Sequence, residues 1–149
     1  MKSINKFTIT LPSRSYNEAF ARSVVSSFVL QLDPTLDELS DIKTAVSEAV
    51  TNCIVHAYKD YIGKIYISAE IFSDNSVQVK IRDTGCGIPN VAEAMEPLYT
   101  TGGEDRAGLG FAVMQSFMDN LKVKSTIGKG TTVTMRKKIS LRAGKNATL

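Results

Sequence analysis

The chain of 149 residues has one histidine, His56, and two cysteines, Cys53 and Cys86. Neither cysteine has the spacing of a zinc site or a Cys-x-x-Cys redox pair, so those chemistries are excluded. Two isolated thiols fit a reducing compartment, and a cytoplasmic location is expected. No apolar run is long enough to span a bilayer. The N-terminus lacks the pattern of a signal peptide, so no membrane role is expected. No Gly-x-x-x-x-Gly-Lys-Ser/Thr occurs, and no Gly-x-Gly-x-x-Gly follows a strand, which excludes the P-loop and the dinucleotide fingerprint. Charge of one sign is also scarce: the net charge is +3. Much of it falls late, in "RKKISLRAGK", which reads as a solvated basic tail, so no direct nucleic-acid role is expected.

What is present is ordinary for a globular domain. Apolar residues make up 43% and charged residues 22%, and the length suits a single domain with a real core. Residues 1–141 are expected to form that domain, with a disordered tail over 142–149.

Periodicity sets the elements. "KFTITL" alternates Phe7, Ile9 and Leu11, so it reads as a strand with one buried face. "SRSYNEAFARSVVSSFVLQL" reads as a helix, with Ser15 and Glu18 at capping-box spacing. "DPT" breaks it, and Thr35 and Glu38 repeat the box before a second helix to about Tyr58. "KIYISAEIF" and "SVQVKIR" form a hairpin around "SDN". The loop "DTGCGIP" follows, then the glycine-rich "TTGGEDRAGLG", a third helix "FAVMQSFMDN", and a last hairpin around "IGKG". Short turns between neighbouring strands predict a mixed, mostly antiparallel sheet. Helices on one face then give an α+β protein, a two-layer α/β sandwich.

The second helix carries two patterns. Leu39, Ile42, Val46, Ala49, Val50 and Cys53 make an apolar stripe. Glu48, Asn52 and His56 stand four residues apart and form a slowly drifting column, because four residues turn about 400°. Glu48 and Asn52 point away from the stripe, and His56 lies nearer its edge. Alone, such a column fits a solvated polar face. It is followed, however, by Asp83, Gly85 and Gly87, then by Gly108 and Gly110, then by "GKGTT" with Gly130 and Thr131. An asparagine can give magnesium a neutral oxygen ligand, and a nearby carboxylate can accept a proton from a hydroxyl.

The ordered set "SEAVTNCIVHAY", "DTGCGIP", "TTGGEDRAGLG" and "GKGTT" resembles the Bergerat-type nucleotide-binding fold of DNA gyrase, Hsp90, histidine kinases and MutL. Each motif alone is weak; four in order are specific. The resemblance implies ATP or ADP with Mg2+ as ligands. It places Asp83 on the adenine amine, with Gly85, Gly87 and Thr131 framing the base. It places Thr100, Thr101, Arg106, Gly108 and Gly110 in a lid and phosphate site, Mg2+ on Asn52, and Glu48 as general base.

Length narrows the choice. Further domains such as those of gyrase are not expected, and the sequence has no separate histidine to accept phosphate. Stand-alone domains resemble the bacterial anti-sigma factor serine kinases. "NEAFARSVVSSFVLQLDPTLDELSDIKTAVSEAVTN", "EPLYTT" and "AGLGFAVMQSFMD" carry that likeness. It implies a homodimeric protein serine/threonine kinase of the sporulation switch, active in transcription regulation. Its partners would be sigma factor F and an anti-anti-sigma protein phosphorylated on serine, with Arg22 and Arg106 contacting partners. The general-stress sigma factor B is the rival partner. A nucleotide-gated binding module without chemistry and a detached histidine-kinase domain are the other readings. One departure stands out: Gly102 and Gly103 occupy lid positions where relatives are more polar and carry a lysine. Arg106 then becomes the candidate lid cation.

Overall fold

The computed structural model describes residues 1–95 and 107–141. The tail residues, the Gly102–Gly103 pair, Thr100, Thr101 and Arg106 lie outside the described residues. The elements are β1 (Ser3–Pro12), α1 (Tyr16–Val29), a 3-10 turn (Leu30–Leu32), α2 (Leu36–Asn52), a π-helical turn (Cys53–Ala57), β2 (Lys64–Phe72), β3 (Ser76–Asp83), α3 (Val91–Ala94), α4 (Ala107–Phe117), β4 (Asn120–Thr126) and β5 (Gly130–Lys138).

The five strands form one sheet in the order β1-β2-β3-β5-β4, and every neighbouring pair is antiparallel. The alternation read from the sequence decides which face is covered. Ile65, Ile67, Ala69 and Ile71 of β2 are buried, as are Val77, Val79 and Ile81 of β3. They meet the α2 stripe of Ile42, Val46, Ala49 and Val50, also buried. The other face of the sheet carries Tyr66, Lys80, Arg82, Lys122 and Lys124, with the Arg82 guanidinium 3.9 Å from the centre of the Tyr66 ring. The α+β two-layer sandwich is therefore the observed architecture. Truncating a core side chain such as Ile42 to alanine should cost about 2–5 kcal/mol, because the hole closes only in part.

The two capping boxes fare differently. At Thr35 the box forms: the Thr35 hydroxyl accepts from Glu38 N at 3.1 Å, and Glu38 Oε1 accepts from Thr35 N at 2.8 Å. At Ser15 it does not. Ser15 has helical backbone angles and no side-chain cap, whereas a capping residue needs an extended one. Glu18 instead pairs with Arg22 at 3.4 Å.

The second helix also ends differently from the expectation. Its α-helical hydrogen bonding stops at Asn52, and Tyr58 N donates to Cys53 O at 3.1 Å across a widened turn. The third helix starts at Ala107 rather than Phe111, and ends at Phe117. No helix among the described residues is long and apolar enough to cross a membrane.

Candidate functional site

α2 lies between α1 and α4, so the polar column on α2 is met by the start of α4. Glu48 and Asn52 are both half-buried there. A Cβ placed on Gly110 of α4 would come 3.1 Å from Glu48 Oε2 and 3.4 Å from both amide atoms of Asn52. Gly110 is thus the floor tile that lets α4 approach these two side chains. The Asn52 amide nitrogen is buried and has no hydrogen-bond partner among the described residues. Buried donors are nearly always satisfied, so this one is aimed at something the described residues do not supply.

Across from α2, the last residue of β3 is Asp83, only 5% exposed. Its Oδ1 accepts from Gly85 N at 3.0 Å and from Thr131 N at 3.2 Å. Its Oδ2 accepts from the Cys53 thiol at 3.5 Å. Burial pushes the Asp83 carboxyl above its ordinary value; the Gly85 amide, the Cys53 thiol and the Thr131 amide pull the other way. Burial also pushes the Cys53 thiol well up, and the Asp83 charge adds to this, so Cys53 stays a protonated donor.

Between Asp83 and α2 runs a small cleft of about 50 Å3. Its walls are mostly apolar: Ala49, Ala57, Ile88, Phe111 and Val133. Polar groups converge on it from Asn52, His56, Asp83 and Thr131. Mostly apolar walls with a few placed polar groups are the usual make-up of a small-molecule site.

The loop after Asp83 is held from both sides. Cys86 N donates to Ala57 O at 3.2 Å, and Gly128 N donates to Cys86 O at 2.8 Å. Ile88 N donates to Ser125 Oγ at 2.7 Å, and Ser125 Oγ lies 2.8 Å from Thr131 Oγ1. The fold gives the two glycines a reason of its own. A Cβ on Gly85 would fall on the Ala57 carbonyl oxygen, and one on Gly87 would fall on the Thr126 carbonyl, at a φ of +79°. Both glycines therefore answer to the protein's own backbone packed on either side of the loop. The purine is not needed to explain them.

The structure brings Glu48, Asn52, Asp83, Gly85, Gly87, Gly110 and Thr131 into one region. Gly108 lies in the first turn of α4. Arg22 stands apart on α1, partly exposed in its pair with Glu18, and does not line the cleft.

Three residues escape a reading of the sequence. Cys53 reads as part of the apolar stripe and turns out to bond Asp83. Tyr58 donates to Lys64 O at 2.6 Å and accepts from Thr84 N at 2.7 Å, tying the start of β2 to the loop. Ser125 clips the loop to β5. Their bonds span 5 to 37 positions of chain, and no local pattern marks such pairs.

Known proteins are similar to this chain in sequence and fold. The family model for the histidine kinase-like ATPase domain matches residues 11–137. An anti-sigma F factor of Caldanaerobacter subterraneus subsp. tengcongensis is 57% identical over 136 residues, covering 91% of this chain and 94% of that one. An anti-sigma F factor of Clostridium acetobutylicum is 49% identical, covering 92% and 96%. Among solved structures, the RsbU and RsbW domains of a Mycobacterium tuberculosis protein superpose with a TM-score of 0.70 at 20% identity, over 94% of this chain and 34% of that one. At that identity the likeness speaks for the fold alone. With the family model matched over most of its length and relatives at about half identity or better, the chain belongs to the histidine kinase-like ATPase domain family, in the group of the anti-sigma F factors.

Proposed function

We propose that the chain is an ATP-dependent anti-sigma factor. It holds a sigma factor F while ATP is bound, and it phosphorylates a serine of its anti-anti-sigma antagonist. The observation that carries the reading is the convergence of Glu48 and Asn52 under Gly110, facing a cleft that ends on Asp83.

Each residue then has a role. Asp83 Oδ2 accepts an N–H of the adenine amine, and Thr131 holds the carboxylate from behind through its amide. Ile88 and Phe111 give the purine apolar walls. Asn52 would hold Mg2+ through its side-chain oxygen. Among the described residues no group of three or more His, Cys, Asp or Glu could hold a metal. Mg2+ keeps several waters and takes substrate phosphates as ligands, so few protein oxygens are needed to hold it. The unpartnered Asn52 nitrogen fits the same picture, as a donor to a phosphate or water oxygen. When bound, the ion neutralises charge on the β- and γ-phosphate oxygens. The α4 N-terminus, with Gly108 and Gly110, supplies backbone N–H groups to phosphate. Thr100, Thr101 and Arg106 would contribute to phosphate binding.

Transfer breaks the bond between the γ-phosphorus and the bridging oxygen of ADP, and forms one to the serine oxygen. Glu48 takes the serine proton as that bond forms. Arg22 offers its guanidinium to a partner carboxylate. Its exposed pair with Glu18 is of the i,i+4 kind, worth about 0.3–0.5 kcal/mol, and is readily given up. A homodimer in the cytoplasm completes the proposal.

The test is a two-part assay on the purified chain. Sigma factor F should be retained with ATP and less with ADP, and label from the γ-phosphate should appear on the antagonist as acid-stable phosphoserine. Acid-labile label, or none, would remove the serine-kinase reading.

A further inference from the structure

The proposed function does not use one group in the cleft, the Cys53 thiol. It is 3% exposed, and it opens the π-helical turn Cys53–Ala57. The two ends of that turn hold Asp83 and the loop after it. Cys53 Sγ donates to Asp83 Oδ2 at 3.5 Å, and Ala57 O accepts from Cys86 N at 3.2 Å, three residues beyond Asp83. Widened turns of this kind are frequent at functional sites.

The acceptor positions of the carboxylate can be counted. Two oxygens offer about four lone-pair sites. Gly85 N and Thr131 N occupy Oδ1. The Cys53 thiol occupies one site on Oδ2. A single site remains, on Oδ2, and both Asp83 and Cys53 line the cleft.

We infer that Cys53 is a positioning residue for base recognition: its thiol fixes the plane of the Asp83 carboxylate and fills its third acceptor site, leaving one Oδ2 lone pair for one N–H of a 6-aminopurine. The inference rests on the nucleotide reading above. The choice of sulfur matters. A thiol is a weak donor, so it orients the carboxylate while withdrawing little charge from the oxygen that must accept from the ligand. It is also small and apolar enough to close the stripe of Ala49, Val50 and Cys53 against the sheet.

The test compares two nucleotides on the full chain in EDTA, by calorimetric titration. One is ADP. The other is the diphosphate of purine riboside, which lacks only the 6-amino group. Cys53→Ala should weaken ADP about three- to tenfold, the loss of one modest hydrogen bond, and leave the other ligand unchanged. The preference for ADP therefore narrows by that factor. Cys53→Ser, which restores a donor, should recover most of it. Cys53→Val, which fills the volume without a donor, should behave like Cys53→Ala and guards against a folding defect. Equal losses for both ligands, or an undiminished preference in Cys53→Ala and Cys53→Val, overturn the inference and leave Cys53 a packing residue. Asp83→Asn separates the two levels. If it abolishes the preference while the Cys53 variants keep it, only the inference on Cys53 fails. If it too leaves the preference intact, the adenine reading itself fails.

Discussion

Replacing Gly110 with alanine sets stability against activity. Gly110 lies within α4, and its φ is not in the left-handed region. Glycine in a helix costs about 0.8–1.0 kcal/mol relative to alanine. Alanine should therefore stabilise the fold by up to about 1 kcal/mol, or roughly 2–4 °C in Tm for a domain of this size. The new Cβ would sit 3.1 Å from Glu48 Oε2 and 3.4 Å from the Asn52 amide atoms. The second contact is ordinary. The first is a few tenths of an ångström too close, and the end of a flexible side chain will yield. Glu48 should move by about 0.3 Å. A misplacement of about 1 Å can cost about 10²-fold in rate. Scaled in the logarithm, about 0.3 Å costs about fourfold. Gly110→Ala should therefore melt at the same or higher temperature, bind ADP in EDTA as before, and transfer phosphate about fourfold more slowly. Scanning calorimetry and a labelled-phosphate assay measure both sides. Unchanged transfer with raised stability would show that Glu48 does not need its place. A loss of Tm would show that the added methyl group meets something that cannot move.

The remaining expectations concern single groups. Asp83→Asn keeps an oxygen for the Gly85 and Thr131 amides but loses the charge, so ADP should bind more weakly by about 1.5–3 kcal/mol, with the far-ultraviolet circular dichroism unchanged. Burial raises Asp83, so the folded state holds its proton more tightly: this group's contribution to stability is present at low pH and lost as pH rises, whereas ADP needs the ionised form. ADP affinity should thus fall on acidification from above the ordinary aspartate range, and Asp83→Asn should flatten that profile in titrations across pH. Glu48→Gln should cut phosphate transfer about 10²–10⁴-fold while sigma-factor capture with ATP survives in a pull-down; loss of both together would make Glu48 a structural residue. Asn52→Ala should weaken ATP more with Mg2+ than in EDTA, and equal losses in the two titrations would argue against a metal ligand. Thr35→Ala removes the formed cap and should cost about 1 kcal/mol in a denaturant melt. Burial would raise its partner Glu38, but hydrogen bonds from Thr35 and Ser140 outweigh it and hold the carboxyl below its ordinary value. That contribution is present at neutral pH and is lost as pH falls through the folded value.

What the sequence determined by itself is what repeats at short range. Period-two alternation in "KIYISAEIF" and "SVQVKIR" marks β2 and β3 and their buried face, because successive strand residues face opposite sides. Four-residue spacing sets Glu48 and Asn52 on one side of α2, because a helix returns every 3.6 residues. Identical spacing was not enough at the two capping boxes. Thr35 has the extended backbone that lets its hydroxyl reach Glu38 N, and Ser15 does not. Only tertiary structure decided the rest. The antiparallel register of β3 with β5 brings Thr131 opposite Asp83. The widened turn after Asn52 carries Cys53 to the same carboxylate, and the entry of α4 lays Gly110 over Glu48 and Asn52. The physical reason is distance along the chain. Two of the three hydrogen bonds that Asp83 accepts come from residues 30 and 48 positions away, and a bond between such residues exists only once the whole sheet and the helices on it have closed around the group.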